Sequence, residues 1–295
     1  MDLFFIFNAI KLIKFKPGSE HKRFWISEYS KLSVTFPPIF EQRKIAEILE
    51  TVDNAIEKTD KIIEKYKRIK QGLMQDLLTR GIDENGNIRR EETHTFKNSP
   101  LGRIPEEWDV VRLGDISEIV YGERLNDLDY LENGNSFVFG TAGLIAKSNK
   151  FVGIGETIVL PRKGSINNKF YINPGQKFFV IDTAFYLRFD YKKDIYVKYL
   201  FIYLNRVNFE FLNEATGVPS LNRNTLKKIF IPLPSLSEQQ RISEILSQID
   251  QTIEKEQQYK EKLERLKQGL MQDLLTGKVR VNHLIEGDTE NVSQA

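Results

Sequence analysis

The chain has 295 residues, 40% of them hydrophobic and 28% charged, with a formal net charge of +2; this suits one or two globular cores with extended helices and excludes wholesale disorder. Cysteine is absent, which rules out a disulfide framework or a thiolate metal site and fits a reducing cytosol. His21, His94 and His283 are too scattered for a dedicated metal centre, while carboxylate-only Mg²⁺ binding stays open. The near-neutral balance neither demands nor forbids a polyanionic partner, so any attraction to nucleic acid has to come from local clustering.

The chain opens with an apolar run at residues 3–7. Asp2 stands where a targeting peptide would be basic, and Asn8 and Lys11 interrupt the run, so neither a signal peptide nor a membrane span is expected there. An amphipathic helix packed on a core is expected instead. Residues 41–79 follow, and at an offset of 197 residues 39–residue copies match without a gap at 23 positions, the second copy being residues 238–276. A repeat this long is a whole domain with its connector, not a stacking unit. The same offset lays Leu3, Phe4, Phe7 and Asn8 on Leu200, Phe201, Leu204 and Asn205, and Val34, Phe36 and Pro37 on Ile231, Leu233 and Pro234. The first forty residues therefore read as the tail of a module, and only one module is present in full.

Both copies are helical by pattern. Ile45, Leu49, Val52, Ile56, Ile63, Tyr66, Leu73 and Leu77 form one stripe; Ile242, Leu246, Ile249, Ile253, Leu263, Leu266, Leu270 and Leu274 form the other. Ser237, with Gln240 three residues on, predicts a capping box for the second helix, whereas Phe40 leaves the first more weakly capped. A helix of this length spans roughly 58 Å at 1.5 Å per residue, too long to bury its stripe on one small domain. The two stripes are expected to pair with each other, antiparallel, as a spacer. Gly72 and Gly269 sit at matching helical positions, where glycine costs about 1 kcal/mol relative to alanine; they predict either close approach of another backbone or a kink or end of the helix. Residues 81–89 and 277–281 read as turns into short strands.

Between the helices, residues 99–235 form the complete module. Strands are expected at 136–139, 156–160, 170–172, 178–181 and 185–189, and glycines at short spacing favour antiparallel meanders over βαβ units. An amphipathic helix is expected over 197–213. The fold class is α+β, a β-rich domain flanked by two long helices pairing as an antiparallel coiled coil.

No catalytic constellation is present: there is no P-loop and no Gly-x-Ser-x-Gly elbow, and Asn173-Pro174-Gly175 is a turn. Charge does cluster. Residues 141–177 carry six basic side chains against the single acid Glu156. Within them the loop at 161–169 offers Arg162, Lys163, Ser165, Asn167, Asn168 and Lys169, cations and amides suited to phosphates and base edges. The loop at 216–224 repeats that chemistry with Ser220, Asn222, Arg223 and Asn224. Tyr121 and Arg124, around Gly122, make a third, weaker candidate. An ordinary solvated turn is the alternative for each loop.

Pro232-Leu233-Pro234 followed by Glu238-Gln239, the Lys-Gln-Gly-Leu-Met-Gln-Asp-Leu-Leu-Thr-Gly-Lys run at 267–278, the Leu-Gly-x-Ile-Pro-x-x-Trp opening at 101–108, Arg162-Lys163-Gly164-Ser165-Ile166 and Pro219-Ser220-Leu221-Asn222 together resemble a type I restriction-modification specificity subunit over essentially the whole chain. The resemblance implies target-recognition domains, each followed by a conserved helix, the helices pairing to set the separation of two half-targets in double-stranded DNA. It implies residues 1–40 as a remnant of a first recognition domain, 41–80 as the first spacer helix, 81–98 as a linker, 99–235 as the complete recognition domain, 236–280 as the second spacer helix and 281–295 as a tail. It further implies a cytoplasmic protein without cofactor or membrane contact, docked to methyltransferase subunits that hold S-adenosylmethionine and to a restriction subunit using ATP and Mg²⁺. Catalysis belongs to those partners. The chain departs from the family in having one complete recognition domain, so a bipartite site calls for a homodimer or a borrowed second domain; an inactive rearrangement product is the other outcome. Two competing classes are a coiled-coil scaffold with an embedded protein-binding β domain and a self-sufficient DNA methyltransferase or nuclease; the latter lacks its motifs here.

Overall fold

A computed structural model describes residues 1–12, 36–189 and 194–284. His21, Val34 and residues 285–295 of the tail lie outside the described residues. The chain divides into two compact units, Met1–Ile69 with Ile249–Ala295, and Lys70–Gln248. Among the described residues no helix is long and apolar enough to cross a membrane.

In the first unit, α1 (Leu3–Lys11) starts at Asp2, whose carboxylate accepts the Phe5 amide at 2.9 Å, the standard satisfaction of an orphan N–H at a helix start. Helix α2 (Ile39–Leu77) enters this unit, and α6 (Leu236–Leu275) ends in it. Lys260 pairs with Asp60 at 2.7 Å and Lys267 with Asp53; the partner number falls as the first rises, so the two helices run antiparallel. Phe5, Ala9, Ile45, Leu49, Met271, Leu274, Leu275 and Val281 close the core. The stripe expected from 3–4 spacing is buried at Ile45, Leu49, Val52 and Ile63 on α2, but Leu266 of α6 faces solvent.

Among the described residues of the second unit, twelve strands frame the module: β1 (Phe96–Ser99), β2 (Gly102–Pro105), β3 (Asp109–Arg112), β4 (Ser117–Tyr121), β5 (Ser136–Gly140), β6 (Gly143–Ser148), β7 (Gly153–Ile154), β8 (Thr157–Pro161), β9 (Phe170–Ile172), β10 (Lys177–Val180), β11 (Ala184–Phe189) and β12 (Phe230–Leu233). They make two four-stranded sheets, ordered β6-β5-β10-β7 and β4-β11-β8-β9, and two pairs, β1-β2 and β12-β3. Short helices α3 (Leu113–Ile116) and α5 (Arg223–Lys227) and the longer α4 (Val197–Arg206) complete it. One expectation fails: β5 and β10 pair in parallel, so the sheets are not pure antiparallel meanders. Pro161, Ile158 and Val159 make β8 a buried central strand, and its core merges with Leu77, Leu78, Ile242 and Leu246 from the ends of the long helices.

Four local expectations change. Helix α6 is capped at Ser235, whose hydroxyl accepts from the Glu238 amide at 3.3 Å, not at Ser237. The helix expected over 197–213 ends at Arg206 and continues as a 3-10 turn at Phe209–Leu212. Residues 81–89 form a turn closed by an isolated bridge between Ile82 and Ile88, and 277–281 hold no strand. Gly72 and Gly269 lie inside continuous helices, and a Cβ built on either meets nothing within 4 Å, so neither close approach within the chain nor a helix end explains them.

The repeat extends to its hydrogen bonds. In the second unit, Gln239 donates to the Pro234 carbonyl (2.9 Å) and accepts the Tyr196 amide (2.8 Å) just ahead of α4. In the first unit, Gln42 donates to the Pro37 carbonyl (2.8 Å) and accepts the Asp2 amide (3.0 Å) just ahead of α1. These clamps equate Asp2 with Tyr196, and hence Leu3 with Val197. The gap-free offset had laid Leu3 on Leu200, one helical turn away. Beside each glutamine a buried glutamate takes an arginine. Glu238 accepts from Arg89 (2.5 and 3.2 Å), the Ile82 amide (2.8 Å) and the Trp108 indole N–H (3.2 Å). Glu41 accepts from Arg280 (2.7 Å to each oxygen) and the Val281 amide (3.3 Å).

Candidate nucleic-acid interface

The β4 strand delivers Tyr121 to its end, with the ring backed by Phe185 of β11 at 5.0 Å between centroids. Two guanidinium groups lie on this one ring, Arg162 at 5.2 Å and Arg223 at 5.0 Å from its centroid, a geometry in which the ring quadrupole attracts the cations. Arg162 leaves the end of β8 and is fixed by donating to the Asp182 carbonyl at 2.6 Å, while its amide and that of Lys163 donate to the Thr183 carbonyl (3.0 and 3.1 Å). Arg223 opens α5, which Asn222 caps by accepting the Asn224 amide at 2.8 Å. Among the described residues, neither arginine nor Lys163 nor Arg124 has a carboxylate partner, so their charge is uncompensated. The Tyr121 ring is 45% exposed.

The loops at 161–169 and 216–224 are tied backbone to backbone. Gly164 donates to the Pro219 carbonyl and Leu221 to the Arg162 carbonyl, both at 2.9 Å, and Lys163 bridges Ser220. Gly164 has φ +87, a left-handed turn that a side chain resists. Asn213 accepts the Ala215 and Ser220 amides at 3.2 and 3.0 Å, closing the second loop on itself. Three segments far apart in sequence thus form one surface. Lys163, Ser165, Asn168, Asn222 and Asn224 are exposed on it and Ser220 half-buried. Arg124, three residues beyond Tyr121, is exposed as well, and Asn168 is steadied by donating to the Thr141 carbonyl at 3.2 Å.

One expected residue, Lys169, turns inward, and a second, Asn167, stays exposed with its amide oxygen engaged. Lys169 is buried, with its ammonium donating to the Asn167 carbonyl (3.2 Å), the Asn167 amide oxygen (3.1 Å) and the Val207 carbonyl (2.8 Å), and lying 4.0 Å from the centroid of Phe209. Burial pulls its pKa down to about 8. The side chain is an internal strut, unavailable to a phosphate, because neighbouring β9 starts at Phe170 and draws residue 169 into the core with it. The Asn167 amide oxygen also accepts the Phe209 amide at 3.0 Å, so that oxygen is committed to the fold. Sequence reasoning missed the backing ring Phe185 and the Asp182 and Thr183 carbonyls that fix Arg162. For Phe185 the signal was its place in a run of consecutive large side chains, Phe185 to Leu187, buried together in β11; the carbonyls leave no signal in side-chain identity.

A rigid β-rich head that presents arginines, amides and one aromatic ring has the composition of a surface for positioning on phosphates and reading bases. The family model of the type I restriction modification DNA specificity domain matches residues 1–67 and 105–265. The type I restriction enzyme MjaVIII specificity subunit of Methanocaldococcus jannaschii is 30% identical over 96% of this chain and 72% of that protein. The MjaX specificity subunit of the same organism is also 30% identical, over 86% of this chain and 61% of that protein. The crystal structure of the type I restriction-modification S subunit from M. genitalium superposes with a TM-score of 0.62 at 20% identity, covering 93% of this chain and 72% of that one. The chain belongs to the type I restriction-modification DNA specificity family. Members of this family are DNA-recognition components, and the catalytic work is not theirs.

Proposed function

We propose that this chain reads one half of a split double-stranded DNA target through Tyr121, Arg124, Arg162, Lys163, Ser165, Asn168, Ser220, Asn222, Arg223 and Asn224. The carrying observation is the convergence of three separate segments on the Tyr121 ring with two unpaired guanidiniums. Arg162 and Arg223 serve as phosphate clamps, and the amides of Asn168, Asn222 and Asn224 reach base edges. Residues 99–235 act as the recognition domain, residues 41–80 and 236–280 as the conserved helices of a spacer between half-targets, residues 81–98 as a linker, and residues 1–40 as the tail of another recognition domain. The repeated glutamine and glutamate clamps support this division.

Methyltransferase subunits, holding S-adenosylmethionine, dock on the helices, and a restriction subunit using ATP and Mg²⁺ joins them in the cytoplasm. Support for docking comes from apolar side chains left exposed at repeat-equivalent places, Ile62 and Ile69 on α2 and Tyr259 and Leu266 on α6. Reading a bipartite target takes a second recognition module beside the one at residues 99–235. The test is copurification with the methyltransferase, methylation of a genomic library, and sequencing of modified adenines. Modification confined to one short motif supports the reading; modification unrelated to sequence refutes it. In binding titrations, the double substitution Arg162→Ala with Arg223→Ala lowers the salt slope by about one unit per lost phosphate contact. An unchanged slope removes this surface from the DNA.

A further inference from the structure

The loop from β8 to β9 is tied down at two ends, and only the front one lies at the Tyr121 surface. Cross-strand pairing of β8 with β9 stops at Val159 and Phe170, so the residues between project past the hairpin, where strand pairing no longer sets which way a side chain points. At the front, Arg162, Lys163 and Gly164 are bonded to residues 219–221 and to the Thr183 carbonyl. In the middle, Ile166 is buried with Leu221 in the main core. At the rear the tie is polar. The Lys169 ammonium gathers the Asn167 main-chain carbonyl, the Asn167 amide oxygen and the Val207 carbonyl, and the same amide oxygen accepts the Phe209 amide.

Residues 207–209 belong to the stretch of chain that carries the second loop. Asn208 caps the 3-10 turn at Phe209–Leu212 by accepting the Glu210 amide at 2.9 Å, and Asn213, directly after that turn, accepts the Ser220 amide. From residue 207 to residue 221 the chain therefore runs from the rear tie to the front tie. The two loops make one closed frame, with Ser165 and Asn168 exposed between the ties. An ammonium is a costly rear tie. Burial opposes its charge, as its lowered pKa records, and the residue is 7% exposed. An apolar side chain of similar length would fill the space without that cost, but it would supply no donor to two carbonyls and an amide oxygen. It would also fit one register of the loop as well as the next, whereas directional hydrogen bonds select one.

We propose that Lys169 and Asn167 are positioning residues for DNA reading: their knot sets the register of residues 163–168 against residues 207–221, so that Ser165, Asn168, Asn222 and Asn224 meet base edges as one surface. Side chains that read a ligand need this kind of support from behind, because a small misplacement is enough to lose the contact. The inference rests on the DNA-reading proposal and adds what sets its selectivity. The phosphate clamps lie outside the knot, since Arg162 is fixed by the Asp182 and Thr183 carbonyls and Arg223 opens the helix that Asn222 caps. Discrimination between sequences therefore depends on the knot, and general attraction to DNA does not.

The test uses the full chain copurified with its methyltransferase subunits. Competition titrations compare a duplex carrying the motif mapped by adenine sequencing with the same duplex changed at one base pair of that motif. Lys169→Met and Asn167→Ala should each cut the preference for the intact motif by about tenfold or more, the scale of one lost base contact, with the salt slope unchanged. Asn167→Asp keeps the oxygen that accepts both bonds and should keep the preference, while its charge weakens binding to both duplexes alike. Hydrogen exchange should show the Phe209 amide deprotected in Lys169→Met and Asn167→Ala, and the Leu113 amide, bonded to the Ile229 carbonyl at 2.8 Å, protected as in the wild type. Asn167→Ala alters an exposed side chain and so reports on the knot where Lys169→Met fails to fold. A preference that survives both substitutions overturns the proposal, as does an equal loss in Asn167→Asp or a preference lost only together with the salt slope. A wild type that prefers neither duplex refutes the DNA reading itself, and with it any selectivity for the knot to set; a wild type that discriminates, with variants that do so equally, refutes this inference alone.

Discussion

Equivalent glutamates in the two units should differ sharply in what they contribute, because their arginines differ in exposure. The perturbation is Glu→Gln, which keeps the volume and removes the charge. At Glu238 it strands Arg89, whose side chain is only 6% exposed and whose remaining carboxylate is Glu107 at 2.9 Å. It also replaces one acceptor oxygen of a set that serves the Ile82 amide and the Trp108 indole. Removing one partner of a buried pair costs about 3–5 kcal/mol, a large share of the roughly 5–15 kcal/mol that holds a domain. At Glu41 the partner Arg280 is 54% exposed, so its guanidinium turns to water and the cost falls to about 1 kcal/mol, near the ceiling for exposed pairs. Urea unfolding gives the global values, and hydrogen exchange at the Ile82 and Val281 amides assigns each loss to its unit. Equal costs for E238Q and E41Q, or a larger one for E41Q, would refute the account. Acid supplies a second arm. The hydrogen bond from Arg280 holds the Glu41 pKa below its ordinary 4.5. A carboxylate depressed in the folded state stabilises above the unfolded pKa and loses that contribution as pH falls through the folded one. Protection of the Val281 amide should therefore decline below about pH 4.5 in the wild type and stay flat in E41Q.

Lys169 carries the opposite sign. Its pKa of about 8 lies under the ordinary 10.5, so the folded state penalises the charged form below pH 8 and the penalty is relieved as pH rises towards 10.5; relative to Lys169→Met, wild-type stability should climb by about 3 kcal/mol across that window, and parallel curves would count against a buried ammonium. Tyr121→Leu should weaken DNA binding by about 1–3 kcal/mol if a base or ribose rests on the ring, with urea midpoints unchanged because the ring is half exposed. Gly72→Ala and Gly269→Ala should each stabilise the isolated chain by up to about 1 kcal/mol, since nothing stands within 4 Å of the new methyl group; a loss of stability would show that these glycines answer a contact within the chain. Ile69→Asp with Leu266→Asp should cut methyltransferase copurification while leaving DNA binding by the chain itself intact.

Strands β5, β8, β9, β10 and β11 were legible because each is a short apolar run punctuated by glycine or a turn. The parallel pairing of β5 with β10 was not, since pairing joins residues about forty apart and leaves no local mark. Ser235 was legible, since Ser235-Leu-Ser-Glu238 satisfies the Ser-x-x-Glu pattern two residues ahead of Ser237. At the candidate site the residue types were legible and their directions were not. Residues 161–169 have no period from which to read a facing side. Whether a lysine there meets solvent, as Lys163 does, or the Val207 carbonyl, as Lys169 does, is decided by a segment 38 residues further on. The meeting of Arg162 and Arg223 on Tyr121 is equally non-local.

The repeat itself shows which parts of the chain physics holds to a fixed length. From residue 41 to residue 79 the copies align without a gap, because an insertion in a helix that buries a seam would rotate every later side chain away from its partner. In front of that point, 40 residues separate Asp2 from Gln42 and 43 separate Tyr196 from Gln239. Three extra residues in a connection cost only a small increment of loop entropy, provided that both ends stay tied. Gln42 and Gln239 are the ties: each holds the amide ahead of one helix and the proline carbonyl ahead of the next. The glutamine, with the glutamate before it, is the hinge point between what varies in a module and what cannot, and replacing it by an apolar residue should free the incoming helix without touching the seam.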